Sequence, residues 1–418
     1  MPAQEKAPEF TAVASRGRLS KNQMSAFLTT SHGLEHILSA ALPPLFILIK
    51  GSLGLSYTQV GLLTTVRNTM AGVIQAPAGV LVDRVGARRP LAIGFAVVSL
   101  SLIFSGFAPG YLLLVLAQLL SGIGSSAFHP ATYAMVTRLA AGESVGKRMG
   151  FHTFGGFIGT TASYVLVAFL GTRFGWRTAL ILLGIPGFVV AYLFWRLFDL
   201  PIEVARSSGD GKKAGPPARV SPLSVIPLIG ITTIQGMFSR GLSAFLPLFL
   251  SVAYRMSVAQ AAVYSTLMTG SGSVGLLLGG VLADRYSRLT VLAMSSMWMC
   301  LTSLVLANWT LSYPMLAVLL IASGLAQYAS NPSQTSLVTR FSSADSEGSL
   351  FGLTFAGSFL GGSFVTVVAG WMADMVGVRS IFWLLAVLAL GRAIMTIPLK
   401  AALEARTRQA TQAAGGDD

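Results

Sequence analysis

Charge is what this sequence has least of. Asp, Glu, Lys and Arg make up 11% of its 418 residues, where a soluble chain carries about 25%. With 53% hydrophobic residues, that shortage excludes a soluble globular protein and implies a polytopic membrane protein embedded in a lipid bilayer. Acids are scarcer than bases, 15 against 29, which leaves a net charge of +14. The bases fall in short loops between apolar runs, so they read as an orientation signal, and no nucleic-acid partner is expected. The single cysteine, Cys300, excludes an intrachain disulfide and is expected to be a small buried side chain. There is no Gly-x-x-x-x-Gly-Lys-Ser/Thr phosphate loop and no evident nucleophile–base pairing, so neither an ATPase nor an enzyme is expected.

What the chain has instead is long apolar runs. Twelve segments are long enough to cross a bilayer as helices, at roughly 24–49, 58–82, 89–108, 111–137, 149–171, 177–197, 222–250, 258–283, 290–308, 313–338, 349–373 and 379–399. The first run is too long for a signal-peptide core and is read as a retained span. The expected organisation is an N-terminal tail over 1–23, six helices over 24–198, a polar linker over 199–221, six helices over 222–400 and a C-terminal tail over 401–418. Of the loop bases, only Lys50, Arg173, Arg177, Arg255 and Arg379 lie on the side opposite the termini. The positive-inside rule therefore places both termini and the linker in the cytoplasm, with the protein in the inner membrane.

The halves repeat. Ser121-Gly122 through Thr137-Arg138 matches Ser323-Gly324 through Thr339-Arg340, with Pro130 on Pro332 and an offset of about 202. Gly150 falls on Gly352, Gly159 on Gly361, and Gly175-x-Arg177 on Gly377-x-Arg379. Gly79-Val80-Leu81-Val82-Asp83-Arg84 matches Gly280-Val281-Leu282-Ala283-Asp284-Arg285, one residue off that spacing. A parallel repeat of two six-helix halves is a transporter arrangement, with its site at the midplane between them.

Polar residues at membrane depth are the site candidates. Glu35 is the only carboxylate near the middle of an apolar span, and His32, Glu35 and His36 share one helix face by their i, i+3, i+4 spacing. A carboxylate between a low-dielectric cavity and nearby cations can load and release a proton, so Glu35, His36 and His32 are the proton-coupling candidates. The same face can also ligate a metal, or form a structural ion pair. Arg67, midway along the second span, and Arg240, midway along the seventh, suit an anionic solute held bidentately, although Arg67 also suits an internal pair with Glu35. His129 stands beside the kinking Pro130, and the repeat sets Asn331-Pro332 opposite it. His152 lies in the fifth span, opposite Thr354. With Arg67, His129, His152, Arg240 and Asn331 as solute contacts, titratable groups gather in the first half and permanent charge and amides in the second. Arg392 is expected to be structural.

Gly79-x-Leu81-x-Asp83-Arg84-x-Gly86-x-Arg88-Arg89, between the second and third spans, resembles the signature loop of the major facilitator superfamily. Gly280-x-Leu282-x-Asp284-Arg285 with Arg288 is its counterpart, and the resemblance covers essentially the whole chain. It implies an all-α fold of twelve transmembrane helices in two pseudo-symmetric halves, working by alternating access. In that family this loop network latches closure at the cytoplasmic side, which would make these residues conformational rather than solute ligands. The aspartate is expected to cap or approach the next helix, and the arginines to pair with carboxylates or helix C-terminal carbonyls.

A finer resemblance rests on His32 through Pro43-Pro44 and on Ser121-Gly122-x-Gly124-x-x-x-Phe128-His129-Pro130, which look like the branch of fosmidomycin-resistance proteins. It implies proton-driven export, by antiport, of a drug or small anionic metabolite. Gln118 stands where many proton-coupled members carry an arginine, and Gly155-Gly156-x-x-Gly159 replaces the Gly-Pro of drug/proton antiporters. The expectation is a monomeric, proton-coupled secondary transporter with no cofactor. The alternatives are a metal or metal-chelate transporter using the His32/Glu35/His36 face and a non-transporting membrane sensor.

Overall fold

The computed structural model describes residues 19–140, 144–197, 222–341 and 347–414. The expected linker and most of the N-terminal tail lie outside the described residues. The first crossing is α1 (Lys21–Ser39), a 3-10 turn at Pro43–Leu45 and α2 (Phe46–Leu53). Two prolines in succession remove backbone donors there and break the helix. Then come α3 (Tyr57–Val85), α4 (Arg88–Gly106), α5 (Tyr111–Ser126) with α6 (Phe128–Leu139), α7 (Val145–Phe174) and α8 (Trp176–Leu197). The second half comprises α9 (Pro222–Ala253), α10 (Val258–Arg285), α11 (Arg288–Asn308), α12 (Tyr313–Phe341), α13 (Glu347–Val376) and α14 (Ser380–Ile394) with α15 (Thr396–Ala414). The last helix runs past residue 400, where the final span was expected to end.

Eleven of these crossings are long and apolar enough to span a membrane by composition. The exception is α3. Its 29 residues would reach about 43 Å at 1.5 Å per residue, but Thr64, Thr65, Arg67, Asn68, Thr69 and Gln75 lower its apolarity. A helix with that much polarity belongs against protein or water rather than lipid.

Within the first half α1 packs on α7, α3 on α5 and α4 on α8; within the second, α9 packs on α13, α10 on α12 and α11 on α14. The halves meet along two seams, α3 against α13 and α7 against α10. Both seams are closed toward the end remote from the termini, called the far end here. Thr65 donates to the Ser363 carbonyl at 2.6 Å in one, and Thr266 donates to the Thr161 carbonyl at 3.3 Å in the other. Tyr164 also donates to the Ser243 carbonyl at 3.5 Å.

The opposite end carries the signature loops. Asp83, Arg84, Asp284 and Arg285 are all exposed. Neither aspartate caps the helix that follows: the N-cap of α4 is Ala87 and that of α11 is Ser287, and no side chain bonds at either cap. Among the described residues Asp83 and Asp284 enter no ion pair. Arg88 does meet its expectation, donating to the Trp195 carbonyl near the end of α8. Gly86 closes α3 at a positive φ of 79°, where its repeat counterpart Ser287 has φ −58°. The two signature loops therefore share sequence without sharing turn geometry. The region between the two seams, faced by α1, α3, α5–α6 and α7 of one half and α9, α12 and α13 of the other, is called the cleft.

Candidate functional site

The α1 histidine face points into this cleft because glycines let α7 come close. A Cβ built at Gly156 would stand 2.8 Å from His32 Cε1 and Nε2 and 3.1 Å from His36 Nε2. A Cβ at Gly159 would stand 2.0 Å from the Gly33 carbonyl oxygen. Only residues without side chains permit that approach.

Glu35 is buried, with 7% of its surface exposed. Ser39, one turn further along α1, donates to Glu35 Oε1, and Arg67 Nη2 donates to Ser39. The hydroxyl thus bridges the acid and the base, whose charged atoms stand 4.0 Å apart. Arg67 also donates to Ser121 at 3.3 Å, Asn68 at 3.3 Å and Ser125 at 3.5 Å. On the other side of Glu35, its Oε2 lies 3.9 Å from His36 Nε2.

The four histidines form one cluster. His32 stacks on His152 with ring centroids 4.2 Å apart, and lies 4.7 Å from His36 and 5.6 Å from His129. His32 Nδ1 is 2.8 Å from the His152 carbonyl. A carbonyl only accepts, so the proton sits on Nδ1 and the buried Nε2 presents an unpartnered lone pair. His36 Nδ1 contacts the Thr160 hydroxyl at 2.6 Å. His129 Nδ1 is buried without a hydrogen-bond partner. One ligand atom from each of His32, His36 and His129 falls within 4.8 Å of the others. His152, only 1% exposed, is held against His32 by that stack.

Across the cleft, Arg240 rests its guanidinium 4.0 Å from the Phe359 ring centroid and donates to the Ser358 carbonyl at 3.4 Å. Gln235 and Gln327 both donate to Ser239, at 3.2 and 2.9 Å. A recess of about 90 Å³ in the same half is lined by Thr232, Gln334, Thr335, Val338, Thr354, Phe355 and Ser358. Asn331 is half-buried and is not part of the cluster. The signature-loop residues lie at the end of the molecule, away from it. Arg392 is buried at 2% and donates to Ser296, Ser330 and Gln334 at 3.0–3.2 Å, so it ties α14 to α11 and α12.

Residues that sequence reasoning passed over complete the site. Ser39, Ser125 and Asn68 hold Arg67 and were not singled out. In the sequence Ser121 stands out only within the repeat, and Thr160 only as the neighbour of Gly159. The one available signal was spacing, since Ser39 is i+4 from Glu35.

The model of the Major Facilitator Superfamily matches residues 28–231 and 228–415. The chain is 26% identical over 356 residues to the uncharacterized MFS-type transporter YfnC of Bacillus subtilis (strain 168), covering 83% of this chain and 85% of that one. It is 27% identical over 351 residues to a probable L-galactonate transporter of Escherichia coli (strain K12), covering 78% and 77%. It is 22% identical over 378 residues to the fosmidomycin resistance protein of the same strain, covering 87% and 89%. Among solved structures, a bacterial homologue of the human lysosomal transporter Spinster aligns over 91% of this chain and 97% of its own, with TM-score 0.79 at 17% identity. The family match and the helical architecture define a secondary transporter. The chain belongs to the Major Facilitator Superfamily.

Proposed function

We propose that this protein couples proton movement to the transport of a small organic anion, working as a monomer in the inner membrane with its loop end facing the cytoplasm. The observation that carries the reading is the Ser39-bridged pair of Glu35 and Arg67 beside the histidine cluster, with Arg240 supplied by the other half. While Glu35 is ionised, Arg67 is engaged. A proton on Glu35, delivered through His36 or His32, removes that attraction and frees Arg67 to share a solute carboxylate with Arg240. The relative named as a probable L-galactonate transporter handles a solute of this chemistry.

Because the proton and the anion compete with the same ion pair from opposite sides, binding of one favours binding of the other. That linkage supports co-transport over the drug-type antiport and efflux that the finer resemblance implied. The missing Gly-Pro of drug/proton antiporters points the same way. The test is uptake into proteoliposomes, with a thermal-shift screen of small carboxylates and sulfonates supplying the solute. Glu35→Gln should lose gradient-driven accumulation while solute exchange persists. Retained gradient-driven accumulation in that variant rejects the reading. The direction of the accompanying proton flux separates symport from antiport.

The three nitrogens of His32, His36 and His129 within 4.8 Å favour a second, exclusive reading, a transition-metal or metal-chelate substrate at the same cluster. Zinc binding by the purified protein that His129→Ala abolishes would replace the proton reading with this one.

A further inference from the structure

The internal repeat relates the two seams between the halves, yet they are closed differently. At the far end of the α3–α13 seam, Asp374 in the last turn of α13 accepts from the backbone amides of Tyr57 and Thr58, each at 2.8 Å. It also accepts from the Thr58 hydroxyl at 2.5 Å. These two amides open α3, and no residue of α3 itself can satisfy them. The third amide, Gln59, donates to its own N-cap Ser56 at 3.1 Å. A carboxylate of one half therefore completes the cap of a helix in the other half. It sits where the helix carries its partial positive charge.

The second seam lacks this device. Ser257 and Gln260, which the repeat sets on Ser56 and Gln59, build the same capping box at the start of α10. The residue that the repeat sets on Asp374 is Thr172. Its hydroxyl donates to Ala168 and Phe169 of its own helix, at 2.8 and 3.1 Å. This position of α7 offers α10 no cap.

We propose that Asp374 is the positioning residue that holds the far end shut, so that the α3–α13 seam and not the α7–α10 seam governs when that end opens. Alternating access requires the far end to part once in each cycle. The cap must then break and leave two helix amides to water. The inference rests on the transporter class alone and stands whether protons or a metal ion act at the histidines.

Thiol labelling reads the opening directly. Thr366 is fully buried in the α3–α13 seam. In a Cys300→Ser background, Thr366→Cys in the full-length protein in proteoliposomes meets a membrane-impermeant maleimide only when the seam parts. Asp374→Asn should speed labelling about tenfold, the equivalent of losing one charge-assisted hydrogen bond, and Asp374→Glu should recover part of the wild-type rate. Thr172→Asp, placed opposite the start of α10, should slow labelling by adding the missing cap. An unchanged rate in a folded Asp374→Asn protein overturns the proposal. Should that variant not fold, Thr58→Val removes only the hydroxyl bond and should give about a two- to threefold increase, and an unchanged rate there overturns it equally.

Discussion

Ser39 does the most with the least. Its one hydroxyl accepts from Arg67 and donates to Glu35, keeping opposite charges 4.0 Å apart in a buried setting. Remove it and the two close on each other, since direct pairing is the remaining way to satisfy both. Ser39→Ala should therefore leave kcat nearly unchanged and raise the solute KM about three- to tenfold, measured in the same vesicle assay as wild type. The acid, the bases and the histidines of this site were legible in the sequence, because a charge at membrane depth is costly and stands out against an apolar run. The hydroxyls were not. Serines are common in packed membrane helices, where they bond their own backbone, as Ser125 also does with the Gly122 carbonyl. Nothing in the order of residues distinguishes one that also reaches Arg67.

At the scale of elements, repeat-related helices differ where the histidines gather. The first crossing is broken at Pro43–Leu45 and the fourth between Ser126 and Phe128. In the second half α9 and α12 run unbroken through Pro247 and Pro332. Proline in the sequence signals a lost donor; whether the helix breaks depends on its packing, which the repeat does not carry over. The glycines of α7 were legible as a run, but their role appears only with α1 laid against them. Gly156→Ala should press a methyl group onto His32 and His36 and lower gradient-driven transport by about tenfold or more. Gly150→Ala, where an added Cβ meets nothing within 4 Å, should transport normally in the same assay.

For the whole molecule, span number, repeat and family were legible because hydropathy and loop charge act over many residues and survive local uncertainty. The conformation was not. A sequence encodes every state of the cycle, and the structure shows one of them, with both seams held toward the far end. In this state Asp83 is exposed and unpaired among the described residues. Asp83→Asn should therefore shift the melting temperature of this state by no more than about a degree, as for an ordinary surface substitution. Solute turnover should fall, because the opposite state brings the loop ends together. A thermal melt and a turnover measurement on the same preparation check both outcomes.

The polarity of α3 also bears on how the protein is made. With Arg67 and Asn68 at its centre, α3 is the crossing least able to enter a bilayer alone, and a lone central arginine opposes insertion by roughly 2.5–3.5 kcal/mol. The groups that satisfy Arg67 come from both directions along the chain: Ser39 and Glu35 precede it, while Ser121 and Ser125 follow on α5. During synthesis α3 emerges with only half of its partners present. Its stable residence in the membrane must wait for α5, so the first four crossings enter the bilayer as a mutually dependent group rather than one by one.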